Sequence, residues 1–162
     1  MQENIYNTIT QFYENMNKYM PSYEGNPCEK CNLCCKKIAN LGASEMEIDY
    51  MEEYVKRNNK DWNKFLKFKE FLTKSPVEKK GETCPFFDEK LKGCSAYGGR
   101  LLSCRTFACF INEKFTNLIP EFCLIKSNVK VYNDETFAET MPFVIDFYQM
   151  IEMYKKYKQE QQ

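Results

Sequence analysis

The chain has no histidine among its 162 residues. That removes the side chain whose ordinary pKa lies nearest neutrality, and with it both the usual general base and the commonest metal ligand. Net charge is missing as well. Lys and Arg total 23 against 23 Asp and Glu, so no global field recruits a nucleic acid backbone or an anionic membrane. No run approaches the ~18 consecutive apolar residues of a membrane span. The start, Met1-Gln2-Glu3-Asn4, has neither a basic nor an apolar leader region. G-x-G-x-x-G, P-loop and G-x-S-x-G patterns are also absent. These absences lead to the expectation of a cytoplasmic protein without nucleic-acid or membrane partners, in which any chemistry belongs to a bound metal.

Cysteine is the opposite case. Of nine cysteines, eight fall into two groups of four: Cys28, Cys31, Cys34 and Cys35 in the run CEKCNLCC, then Cys84, Cys94, Cys104 and Cys109. A reducing cytosol does not sustain a disulfide framework, and the odd count leaves one thiol over. Short Cys-x-x-Cys spacings instead place two thiolates within reach of one metal at the ~2.3 Å zinc–sulfur distance, and iron–sulfur clusters use similar spacings. The expected cofactor is therefore zinc or an iron–sulfur cluster, with all eight thiols as ligands. Adjacent side chains on an extended backbone point to different sides, so Cys34 and Cys35 are expected to serve different metal atoms. Two four-thiolate centres, a thiolate-bridged dinuclear site, and a cluster with a separate thiol all satisfy that constraint. Four thiolates around zinc or an oxidised 4Fe–4S core leave about two net negative charges. Lys30, Lys36, Lys37, Arg100 and Arg105 stand near enough in sequence to offset them. The ninth thiol, Cys123 in Phe122-Cys123-Leu124-Ile125, reads as a small buried hydrophobe.

The elements follow from periodicity. Ile5, Ile9, Phe12, Met16 and Tyr19 form one face of an amphipathic helix closed by Pro21. Residues 21 to 35 read as a loop that carries the first cysteine group. Ser44 and Glu47 form a capping box before Met46, Tyr50, Met51, Tyr54 and Val55. A third helix carries Trp62, Phe65, Leu66, Phe68 and Leu72 and ends near Ser75-Pro76, pairing with the second as a helical hairpin. Residues 84 to 97 read as a short β-hairpin, residues 100 to 110 as the start of a helical turn bearing Cys104, and 128 to 132 as a short strand. Residues 141 to 158 carry two apolar stripes, Val144, Tyr148 and Ile151 beside Phe143, Phe147, Met150 and Tyr154, and predict a widely buried helix with Pro142 in its first turn. Glu45, Glu47, Asp49, Glu52 and Glu53 read as the first turns and solvated face of their helix, not as a carboxylate site. The fold class expected is mainly α, an α-rich α+β chain. It forms one compact domain over 1–162, with a small hairpin and a cysteine-ligated metal site in loops.

The run NPCEKCNLCC, followed by CPFF, GCSAY and GRLLSCRTF, resembles the YkgJ-like family of zinc- or iron-chelating cysteine-cluster proteins. That family's pattern is CxxCxxCC, a CPFL-like element and CSIYExRPxxCRxF. The likeness spans about residues 27 to 107. It implies ligands at Cys28, Cys31, Cys34, Cys35, Cys84, Cys94 and Cys104, and places Tyr97, Arg100 and Arg105 on the other motif positions around the bound group; Cys109 is less regular in the family. Gly98 stands where the family often has Glu, and Leu101 where it usually has Pro. Flagellin lysine N-methylases are similar in this cysteine pattern, but the chain lacks room for a large additional domain, and methylation is not carried over.

Three functions are open at this point. A closed thiolate site can organise a loop-rich face for a protein or peptide partner, as a binding or accessory module. An iron- or iron–sulfur-dependent enzyme or maturation factor acting on a protein or peptide would use the surplus thiols chemically. A thiol redox sensor would need exposed, low-pKa cysteines.

Overall fold

A computed structural model describes residues 1–21, 33–36, 42–75, 77–79, 81–107, 109–118 and 128–161. In chain order the elements are α1 (Glu3–Met16), the helical turn α2 (Leu33–Lys36), α3 (Glu45–Arg57), α4 (Trp62–Thr73), β1 (Phe87–Asp88), β2 (Gly93–Cys94), α5 (Leu102–Thr106), β3 (Phe110–Asn112), β4 (Lys130–Tyr132), α6 (Phe137–Thr140) and α7 (Phe143–Glu160). The fold is mainly α with a small antiparallel hairpin, the class that the apolar periodicity predicted. Two compact units share the chain. Met1–Ser22 and Ala108–Gln162 form one, and Tyr23–Phe107 the other.

The unit Tyr23–Phe107 is built on α3 and α4. Both arms of the capping box are in place: the Ser44 hydroxyl accepts from Glu47 N at 3.3 Å, and Glu47 Oε2 accepts from Ser44 N at 2.9 Å. Two of the four N–H groups that a helix start leaves without intrahelical partners are satisfied in this way, or by the reciprocal bond. At the far end Glu52–Lys56 and Glu53–Arg57 pair one helical turn apart, at 2.7 and 2.8 Å. The chain then turns through Asn59, whose φ of 48° lies in the left-handed region that Asn tolerates after a helix. Asp61 caps α4 by accepting from Lys64 N at 3.1 Å.

Helix α4 buries Phe65, Phe68 and Phe71. Trp62 and Leu66, read from the sequence as part of the apolar stripe, are 40% and 48% exposed. With 3.6 residues per turn, a position two before Phe68 projects nearly opposite to it, so Leu66 cannot join a face centred on the phenylalanines. Phe65, Phe68 and Phe71 pack with Met51, Val55, Phe86, Ala96 and Leu101 into a single cluster. The Phe68 and Phe86 rings lie 5.2 Å apart at 56°.

The hairpin pairs Phe87 with Cys94 and Asp88 with Gly93. Asp88 Oδ1 accepts from Lys90 N and Leu91 N at 2.9 and 3.1 Å, an Asx turn that starts the reversal. Those two N–H groups, Leu91 first, together with the nearby Lys64 ammonium, hold the Asp88 carboxyl below its ordinary range against a smaller opposing effect of burial.

In the other unit α1 packs on α7 through Phe12 and Phe147, with ring centroids 5.8 Å apart. Phe143 receives Tyr19 at 6.0 Å and Phe110 at 5.5 Å. Strand β4 confirms the expected strand near 128 to 132, but it pairs in parallel with β3, with Ile111 opposite Val131. Three residues carry no period, which is why β3 was not legible beforehand. Helix α7 is less widely buried than expected. Phe143, Phe147, Met150 and Tyr154 form its buried stripe, whereas Tyr148 is 64% exposed. Pro142 is its N-cap, one position before the first turn.

Candidate metal centre

The two cysteine groups are far apart in sequence, and a backbone bond joins one member of each. Cys84 N donates to Cys35 O at 2.7 Å, so the last thiol of the first group and the first of the second lie on hydrogen-bonded strands of chain. The element carrying Cys34 and Cys35 is helical, not the loop expected for residues 21 to 35. Successive residues there are turned by about 100°, not 180°, so the extended-backbone premise does not apply at that pair. Cys35 is buried. Cys28, Cys31, Lys30, Lys37 and Cys123 lie outside the described residues, as does the side chain of Cys34.

Cys84 opens the hairpin. Its carbonyl accepts from Phe87 N at 2.8 Å, turning Cys84-Pro85-Phe86-Phe87 into β1. Across the ladder Cys94 sits opposite Phe87. The turn is tied again by Ser95, whose N and Oγ both donate to Phe86 O, at 2.8 and 2.9 Å. Cys104 lies in α5. The half-buried Cys84, Cys94 and Cys104 all pack against the one cluster that contains Phe86, Ala96 and Leu101. Cys109 belongs to the other unit, where it is buried and its carbonyl accepts from Lys130 N at 2.9 Å.

Tyr97, Arg100 and Arg105 are brought together in one turn. The Arg100 guanidinium lies 3.4 Å from the Tyr97 ring centroid, and its Nε donates to Tyr97 O at 2.9 Å. Arg105 donates from Nε to Arg100 O at 2.8 Å and from a terminal nitrogen to Gly98 O. These bonds close the segment between Cys94 and Cys104 on itself. Lys36 is near Glu89 at 3.9 Å and lies over the Phe87 ring at 4.9 Å.

Gly98 and Gly99 have a reason that sequence reading missed. A Cβ at Gly98 would lie 2.7 Å from Tyr54 Oη, and one at Gly99 would lie 2.6 Å from Tyr54 Cδ1 and 2.9 Å from Met51 Sδ. The chain passes so close to α3 that only glycine fits. Glu47 was also misread as solvated helix surface. It is 3% exposed, and its Oε1 accepts from Leu102 N at 2.7 Å, 55 positions away. The capping box revealed one of its carboxylate oxygens; nothing local in the sequence points to the other.

Among the described residues, no three Cys, Asp or Glu side chains converge as a metal site. The donor chemistry fits a metal nonetheless: thiols without imidazole are the ligand set of zinc and of iron held by sulfur. Four of them stand on one unit, with Cys28, Cys31 and Cys34 adjoining Cys35 in sequence. Among the described residues no helix is long and apolar enough to cross a membrane.

A histidine-free chain with three thiols of one sequence group on an apolar cluster, and a backbone bond from one of them to a thiol-bearing residue of the other group, falls in the class of cysteine-cluster chelators. It belongs to the CxxCxxCC family, described as "Putative zinc- or iron-chelating domain", whose profile matches residues 27–124. No curated protein and no solved structure matches the chain.

Proposed function

We propose that the chain holds zinc or an iron–sulfur cluster in a cysteine-only centre and serves as a binding or accessory module for a protein or peptide partner. The observation that supports this reading is the Cys84 N to Cys35 O hydrogen bond, which brings the backbone of one cysteine from each group together. The ligands are drawn from Cys28, Cys31, Cys34, Cys35, Cys84, Cys94 and Cys104, with Cys109 as an eighth candidate. Tyr97, Arg100 and Arg105 order the backbone between two of these ligands, and the two arginines bring positive charge near the thiolates. A bound zinc would supply folding free energy to a unit with short secondary elements; a cluster would supply electron transfer. The sequence carries no histidine and no nucleotide-binding or nucleophile-elbow motif beside the thiols, and this favours the binding role over an enzymatic one.

The test is metal and acid-labile sulfide per chain after purification without oxygen, with the visible spectrum. Zinc in a colourless protein supports the module, and iron with matching sulfide and colour supports the cluster form. Protein that folds without either, with all thiols reacting fast and chelator without effect, overturns the reading in favour of a redox sensor. Cys35→Ser and Cys84→Ser should each abolish stoichiometric metal, whereas Cys123→Ser should retain it.

A further inference from the structure

Cys104 is carried by a helix of only five residues, α5, too short to hold its own orientation by intrahelical bonds. Its anchoring comes from elsewhere. At its start Leu102 N donates to Glu47 Oε1 at 2.7 Å, and Ser103 Oγ donates to Gly42 O at 3.1 Å. Just before it, Gly98 and Gly99 lie directly on Tyr54 and Met51. Glu47, Met51 and Tyr54 follow at intervals of four and three, so one face of α3 contacts the segment at Gly98, Gly99 and Leu102. Of the three, only Glu47 makes a directional bond to the helix that bears the thiol. Its second oxygen, Oε2, accepts from Ser44 N and Ser44 Oγ, both at 2.9 Å. One buried carboxylate therefore joins the start of α3 to the start of α5.

We infer that Glu47 is a positioning residue for the metal centre: it sets where the Cys104 thiol stands by holding Leu102, apart from its role as a helix cap. This inference rests on the reading of Cys104 as a ligand. Ligand-orienting partners outside the coordination sphere typically change metal affinity by about 10- to 100-fold when removed. A residue that only capped α3 would change metal affinity no more than the loss of stability explains.

Three variants separate the roles. Ser44→Ala removes the cap hydroxyl but leaves Glu47 Oε1 on Leu102. Glu47→Gln keeps a carbonyl oxygen for Leu102 N and loses an acceptor at Ser44. Glu47→Ala removes the bond to Leu102 and both bonds to Ser44. Zinc affinity by competition with a chromophoric chelator, below the melting temperature of each variant, should fall about 10- to 100-fold for Glu47→Ala. Ser44→Ala and Glu47→Gln should stay near the parent value while their melting temperatures drop. If affinity simply follows melting temperature across the set, or if folded Glu47→Ala binds zinc as the parent does, the inference is wrong. Should Glu47→Ala fail to fold, Glu47→Asp replaces it, because a carboxylate one methylene shorter cannot reach Ser44 and Leu102 together, and it should lose affinity. Alkylation of Cys104 in metal-free protein, followed by peptide mass spectrometry, gives a readout that does not depend on metal. Glu47→Ala should change the Cys104 rate and leave that of Cys94 unchanged, and equal rates for Cys104 in variant and parent would overturn the positioning role. A parent protein that binds no zinc or iron overturns the proposed function and the metal side of this inference, and the alkylation comparison still decides whether Glu47 sets where the Cys104 thiol stands.

Discussion

Both units combine apolar packing with bonds between distant segments, but the surroundings of the candidate ligands and the two long helices of the other unit are joined differently. In Tyr23–Phe107 distant segments meet through directional bonds: Cys84 to Cys35, Leu102 to Glu47 and Ser103 to Gly42. In the other unit α1 and α7 meet chiefly through rings, Phe12 on Phe147, with Tyr19 and Phe110 on Phe143. Apolar contact is strong but has little preferred direction, and hydrogen bonds weaken steeply away from their geometry. Directional bonds fix backbone positions more closely than ring packing does, and they surround the half-buried Cys84, Cys94 and Cys104, the thiols proposed above as ligands.

That contrast can be broken most severely at the cluster under the thiols. Phe86 is 1% exposed, contacts Phe68, and is followed by β1 while Cys84 precedes it. Phe86→Ala should cost about 3–5 kcal/mol, a large part of the stability of an ordinary domain, and should lower metal retention with it. Chemical denaturation with and without chelator measures both. In the ring-packed unit, Met150→Leu at a position 8% exposed should cost less than about 1.5 kcal/mol, because volume is conserved, and leave metal content unchanged. A loss of metal there would erase the distinction between the units.

A smaller effect is expected at the close approach of the glycine pair to α3. Gly99→Ala places a methyl 2.6 Å from Tyr54 Cδ1, and such overpacking typically costs about 1–3 kcal/mol. The penalty should shrink when Tyr54→Ala is added, and a double-mutant cycle reads the coupling. Strict additivity would mean that the two residues do not touch in solution.

The smallest effect is electrostatic. The Asp88 carboxyl titrates below its usual range in the folded chain, first because Leu91 N–H bonds its ionised form. A depressed folded pKa stabilises at pH values above the unfolded pKa, and the gain is lost as pH falls through the folded one. Asp88→Asn should therefore melt slightly below the parent at pH 7, with the gap closing at pH values under about 4. A gap that persists in acid would assign the effect to the turn's geometry instead of the charge.

Much of the helical frame was legible in the residues. The capping box at Ser44 and Glu47, the Ile5 to Met16 face, the hairpin near Cys84 and the turn at Cys104 all follow from local pattern, because caps and periodic faces are decided within a few positions. The departures share one cause. Leu66, Trp62 and Tyr148 are apolar at plausible spacing, yet each helix chose a narrower stripe, and which stripe wins depends on the surface it meets. The pairing of β3 with β4 and the glycine pair under Tyr54 likewise arise from neighbours far along the chain.

The residues alone determined the donor chemistry on offer: thiols without imidazole, in two groups, in a chain with no net charge. Ligand type is a property of the side chain and needs no fold to be read. Only the tertiary structure decided that Cys35 meets Cys84 and that a buried Glu47 reaches Leu102. Hydrogen bonds across such sequence distances form where packing delivers donor to acceptor, and no local pattern encodes that delivery.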